Sequence, residues 1–269
     1  AFSDCTSLTN IDLPNSLTSI GKFAFSDCTN LADIDLPNSL TYIGLGAFDN
    51  CDNLVSIVIP SSVTTIQVSS ESSYPSFSSC DKLTNIVVES GNPAYDSRDN
   101  CNAIIETATN KLIFGCKNTV IPNTVTSIGY SAFSDCDALT SIELPNSVTS
   151  IEKYAFCGCN NLANIVLPNS ISSIGGYAFT DCNNLVIRCY AEDVPEAEAT
   201  AFQSCDNLVI QVPEQSLELY QSTAPWNEHE IVAGFYYTIN ANVNNPNYGI
   251  VEGTGNYDIG AEVTLKAIA

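Results

Sequence analysis

Eight times along the chain an Ala-Phe or Ser-Phe pair recurs, starting at Ala1, Ala24, Ala47, Ser76, Ala132, Ala155, Ala178 and Ala201. The intervals are 23, 23, 29, 56, 23, 23 and 23 residues, too short for paired-helix repeats. Around each pair runs one apolar frame, which in the first unit is Leu8, Ile11, Leu13, Leu17, Ile20, Ala24, Phe25 and Cys28. No run alternates long enough for an independent sheet, and none keeps helical spacing for three turns. A unit of this kind cannot bury its own apolar face, so it must stack on its neighbours.

The frame predicts a coil. "LTNIDLP" supplies a short strand with Ile11 and Leu13 inward and Asn10 and Asp12 outward, because successive strand side chains alternate faces. Pro14 ends that strand, since it brings no N–H to a ladder. "NSLTSIG" is expected to turn the chain with Leu17 and Ile20 inward, and "KFAFSDC" to close it as a short helical or 3₁₀ turn. Stacked coils should then align their strands in one parallel sheet at about 4.8 Å spacing.

The recurring frame "LxxIxLPxSLTSIGxxAFxxCxxL" resembles the BspA-like leucine-rich repeats of bacterial surface proteins over roughly residues 1–232. The resemblance implies an α/β-type leucine-rich-repeat solenoid with mostly short parallel strands, a cell-surface or secreted setting, and adhesion or protein binding without shared catalytic residues. The expected organisation is a solenoid over 1–212, a C-terminal cap over 213–232 and a small, partial all-β segment over 233–269. Pro213, Leu217 and Tyr220 suggest a short capping helix, with the single Trp, Trp226, sealing the last coil. "FYYTINANVNNPNYGIVEGTGNYDIGAEVTLKAIA" is similar to the internalin-type B-repeat modules of surface proteins, which implies a spacer. The chain opens inside a repeat and ends at "EVTLKAIA", and reads as a fragment.

Two units depart from the period. "QVSSESSYP" (67–75) reads as a polar loop, and "CNAIIETATNKLIFGC" as a β-hairpin inserted at about 99–118. Centring the turn between Ala108 and Thr109 places Glu106 opposite Lys111, Ile104 opposite Ile113 and Cys101 opposite Cys116. Directly opposed hairpin residues lie close enough for a strained disulfide between Cys101 and Cys116, or for a pair of close thiols. Eight of the twelve cysteines share one repeat position, so they read as small core hydrophobes and as reduced, buried thiols.

Charge and motif content narrow the function. Eight Lys and Arg against 30 Asp and Glu give a net charge of −22, which repels phosphate backbones and anionic lipid surfaces, so no nucleic-acid or membrane-surface partner is expected. No stretch approaches the ~20 apolar residues of a membrane span. The one His, His229, reads as solvated and has no nucleophile motif beside it. Asp33 and Asp35 share a strand face, but an open sheet gives no wall to desolvate an acid. "CGC" at Cys157 and Cys159 lacks a second ligand pair, and "DNCDN" (49–53) and "DSRDN" (96–100) lack the Gly and Glu of a calcium loop. No catalytic residue, metal or cofactor is therefore assigned.

Binding is assigned to the outward strand positions Asp12, Asp35, Val58, Val87, Glu143 and Val166, which continue as Arg188 and Gln211. A passive spacer would be uniformly polar there, and a carbohydrate-binding module would show aromatics. Valines among acidic residues instead suggest a face for a protein partner carrying a basic patch.

Overall fold

Most of the backbone order of this chain lies between coils rather than within them. The computed structural model describes residues 2–68, 76–239, 250–252, 255–258, 264 and 266–268. Each coil has three sides. On the first run the strands Ser56–Ile59, Asn85–Val88, Ser141–Glu143, Asn164–Leu167, Val186–Cys189 and Val209–Val212. The expected alternation is visible in Asn85–Val88, where Ile86 and Val88 are buried and Asn85 and Val87 exposed.

The second side corrects the single-sheet expectation. "TSIG" does not merely turn. Its two-residue strands, such as Ser127–Ile128, Ser150–Ile151 and Ser173–Ile174, stack in parallel as a second sheet. Both sheets keep repeat register, with Ile151 opposite Ile174 and Ile142 opposite Ile165.

The third side is not helical. A helix would return each N–H within its own coil, whereas here Phe23, Phe25 and Asp27 donate to Leu45, Ala47 and Asp49 of the next one at 2.8–2.9 Å. Residues with left-handed backbone make this possible: φ is 53° at Phe23 and 60° at Asp27, and 60° at Tyr154 and 72° at Gly158. Alternate turn residues thereby aim their N–H groups along the stack, so buried amides gain partners in the next coil without a helix.

Beneath this side runs an aromatic stack. Phe25 and Phe48 lie 5.4 Å apart and nearly parallel, and Phe133, Phe156 and Phe179 follow at 5.1 and 5.4 Å. The recurrent cysteine completes it: the Cys51, Cys159 and Cys182 thiols donate to the carbonyls of Phe25, Phe133 and Phe156 one coil back, at 3.2, 3.0 and 3.1 Å. Cys fits here because it is small, apolar and still a weak donor. All twelve cysteines are free thiols, and burial pushes Cys51 up to about 12.

The hairpin, Ala103–Glu106 with Lys111–Gly115, lies within the stack. Glu106 faces Lys111 as expected, but an irregularity between Ile104 and Ile105 places Ile104 opposite Phe114 rather than Ile113. That shift moves Cys101 and Cys116 out of opposition. Both are free, and they belong to different apolar clusters, so the bond left open between them is not formed. The hairpin is apolar on both faces: Ile105 and Leu112 join the C-terminal cluster, and Ile104, Ile113 and Phe114 the N-terminal one. It also carries the second sheet, with Leu112 paired to Ile128 in parallel. Phe114 packs 4.9 Å from Phe77, and Gly115 is required because a Cβ there would sit 2.3 Å from the Phe133 ring.

The last coil is closed by Leu217–Gln221 and by Trp226, which is fully buried, as a seal requires. The Trp226 indole donates to the Pro195 carbonyl at 3.0 Å, and its ring packs 5.0 Å from Phe202. Glu230–Ala233 then adds in parallel to Val209–Val212. Beyond it, Tyr236–Ile239 pairs with Gly255–Asp258 and Ile250–Glu252 with Lys266–Ile268, both antiparallel. Most of the loop at 67–75 lies outside the described residues.

Candidate binding face

The first side of the coils brings the outward residues into a row. Val58 and Val87 are direct cross-strand partners, 44% and 38% exposed, and Glu143 is the partner of Val166. Asp12 and Asp35 are exposed at the equivalent place in the first two coils, where the segment is extended but forms no ladder. The row does not stay open to the end. Val166 is half-buried, and Arg188 and Gln211 are buried at 6% and 4% exposure.

One member of the row escaped sequence reasoning. Val120, 71% exposed, stands two residues before Pro122 as Asp12 stands two before Pro14. The signal was the proline spacing, masked because the hairpin broke the Phe-to-Phe count. With Val120 the row carries three exposed valines, with Asp12, Asp35 and Glu143 beside them. Between Val87 and Val120 passes the stretch 97–101, whose Ser97 hydroxyl accepts from Val88 N–H at 2.9 Å and whose Cys101 carbonyl accepts from Val120 N–H at 3.0 Å.

A groove of about 800 Å³ opens beside Val120, lined among others by Thr119, Ile121, Glu143, Val166 and Arg188. A second, of about 780 Å³, lies over the two-residue strands, with Tyr130, Glu152, Lys153, Glu196 and Glu198. Glu152 there is held by Lys111 at 2.5 Å. Tyr154 and Tyr177 stack on each other at 5.0 Å with the Lys153 ammonium over both rings, so little ring face is left for a sugar.

The chemistry set aside in the sequence has structural reasons. His229 is not freely solvated: it packs edge-on against Phe202 at 5.5 Å, and desolvation lowers its pKa. Cys205 lines the same hollow, but its thiol donates to the Phe179 carbonyl at 2.8 Å and burial pushes it up to about 11, the opposite of an activated nucleophile. Within "DSRDN", Asp96 is gripped by Arg98 through bonds of 2.6 and 2.7 Å. Among the described residues no group of three His, Cys, Asp or Glu is placed to hold a metal ion, and no helix is long and apolar enough to cross a membrane.

This geometry has solved relatives. The chain is similar to a leucine-rich cell surface protein from Faecalibacterium prausnitzii, at 29% identity and a TM-score of 0.64, covering 86% of this chain and 61% of that one. It is similar to the pneumococcal vaccine antigen PcpA at 25% identity and TM-score 0.65, covering 78% and 52%. A leucine-rich-repeat protein from Eubacterium ventriosum shares the fold at 24% identity and TM-score 0.57, over 80% of this chain and 63% of that one. The chain thus spans between half and two thirds of the length of these proteins. No curated protein matches it, and the expected likeness of 233–269 to a B-repeat module finds no counterpart in the family match. That match is to the BspA type leucine-rich repeat region, in six copies over residues 1–109 and 104–225. With paired sheets, stacked Phe and repeat register in agreement, the chain belongs to the BspA-type leucine-rich-repeat family.

Proposed function

We propose that this chain is a non-enzymatic, protein-binding part of a bacterial surface protein and that it binds through the long-strand face. The observation that carries this is the run of exposed valines, Val58, Val87 and Val120, on a row that also holds Asp12, Asp35 and Glu143. Apolar centre and polar rim are the anatomy of a protein interface. A spacer has no use for such a row, since it leaves apolar surface in water without compensation. The acidic surround favours a partner with a basic patch and faster association at low salt. A surface setting agrees with the solved relative described as a cell surface protein.

The test starts from a pull-down against extracellular-matrix and cell-surface proteins. Val58→Asp and Val87→Asp should each weaken the recovered partner at least tenfold and leave the thermal midpoint within a few degrees, because neither side chain fills the core. Raising salt should weaken the parent complex as well. If both variants fold and bind as the parent does, this face is not the site.

A further inference from the structure

The backbone ladder of the long-strand face is broken on the preceding side of Ser141–Glu143, as it is on that of Ser56–Ile59. Ser141–Glu143 pairs with Asn164–Leu167 on one side only, Ile142 opposite Ile165, and Leu144 N–H donates to the Val166 carbonyl at 3.3 Å. Alternate residues of a strand turn their N–H and C=O to opposite sides. Ile142 and Leu144 serve that neighbour, so Ser141 and Glu143 turn the other way, toward Thr119–Ile121 of the preceding coil. Those residues do not answer. Thr119 N–H donates to Cys116 and Val120 N–H to Cys101, both at 3.0 Å and both away from Glu143. Among the described residues the Glu143 N–H and the Ser141 and Glu143 carbonyls have no backbone partner. The equivalent groups of Asn164 and Val166 are taken up by the ladder one coil later.

The groove of about 800 Å³ lies along this unpaired edge, with Val120 on one wall and Glu143 and Val166 among its lining. We propose that it receives an extended peptide segment of the partner protein, added as a strand to Ser141–Glu143. An extended segment is the occupant that supplies alternating donors and acceptors to a strand edge. Its apolar side chains would meet Val120 and Val166, and a lysine or arginine would meet Glu143, in keeping with the net charge of −22. The site rests on the protein-binding reading above and narrows it to one place and one backbone geometry.

The test uses the whole chain and, as probe, a seven-residue peptide alternating valine with threonine and lysine. Two further versions carry N-methyl groups on one edge or the other, which remove backbone donors and keep every side chain. The Glu143 amide should exchange quickly in the free protein and at least tenfold more slowly with the parent peptide. One N-methylated version should bind at least tenfold more weakly and the other nearly as well as the parent. Val120→Asp, an exposed substitution, should weaken the parent peptide at least tenfold. A Glu143 amide already protected in the free protein, no saturable binding at millimolar peptide, or equal affinity of all three peptides would overturn strand addition. If equal peptide affinities were found while Val58→Asp and Val87→Asp still abolished partner binding, the face would stand and the strand-addition site would fall.

Discussion

Phe156→Ala should cost about 3–5 kcal/mol, the range for deleting a buried aromatic ring, and the loss should be confined to one half of the chain. Phe156 is fully buried between Phe133 and Phe179, at 5.1 and 5.4 Å, and its carbonyl also accepts the Cys182 thiol. Truncation leaves a void that flanking rings cannot fill, because each is fixed by its own coil. Stability in stacked repeats passes between nearest neighbours. The two-faced hairpin separates the apolar clusters, with Ile105 and Leu112 on one side and Ile104, Ile113 and Phe114 on the other. Amide exchange in denaturant should therefore quicken across 127–212 and stay nearly unchanged across 17–66. Equal quickening in both halves, or a cost below about 1 kcal/mol, would mean the hairpin does not partition the stack.

Asp49→Asn should stabilise the protein at neutral pH and do nothing in acid. Burial, then the charges of Asp27 and Asp135, push Asp49 up to about 7 from 3.8. Its neighbours are compensated where it is not: the Asp27 carboxylate accepts from Asn50 and Ser26, and Asp135 from Ser78 and Ser134. Because the pKa is higher in the folded chain, the folded form binds the extra proton between about pH 4 and about 7. Stability from this group is then full below about pH 4 and is lost as pH rises through about 7, above which the loss is constant. The full shift would convert to about 4 kcal/mol. Partial exposure and screening reduce this to an expected gain of about 1–3 kcal/mol at pH 8. Urea midpoints for parent and variant at pH 8 and pH 4 decide it. An equal gain at both, or no gain at pH 8, would contradict this account of Asp49.

Much of this architecture was legible in the repeat itself. The inward frame Ile57, Ile86, Ile142 and Ile165 is buried in the long strands as the alternation required, and Trp226 is buried where the frame ends. Other features carry no periodic signal. A two-residue strand such as Ser150–Ile151 has too few positions to alternate, so the second sheet was read as turn. Left-handed backbone at Phe23 or Tyr154 is invisible because neither residue type announces it, unlike the glycine at Gly158. In the hairpin, one shifted residue between Ile104 and Ile105 undid the register that apolar matching supported. It failed because Ile113 and Phe114 are both apolar, one serving each register, and the pattern cannot choose between them. The outward placement of Val58 and Val87 followed from the strand alternation. Val120 was lost because the count ran from Phe to Phe across an insertion rather than from Pro to Pro.

Hydroxyl-radical footprinting of the chain with and without its recovered partner tests the central claim most directly, since it reports which side of the coil is covered. Side-chain oxidation should fall severalfold at Val58, Val87 and Val120 in the complex and remain unchanged at Tyr154 and Tyr177 on the far side. Protection of Tyr154 and Tyr177, with the three valines oxidised as in the free chain, would contradict a long-strand binding face.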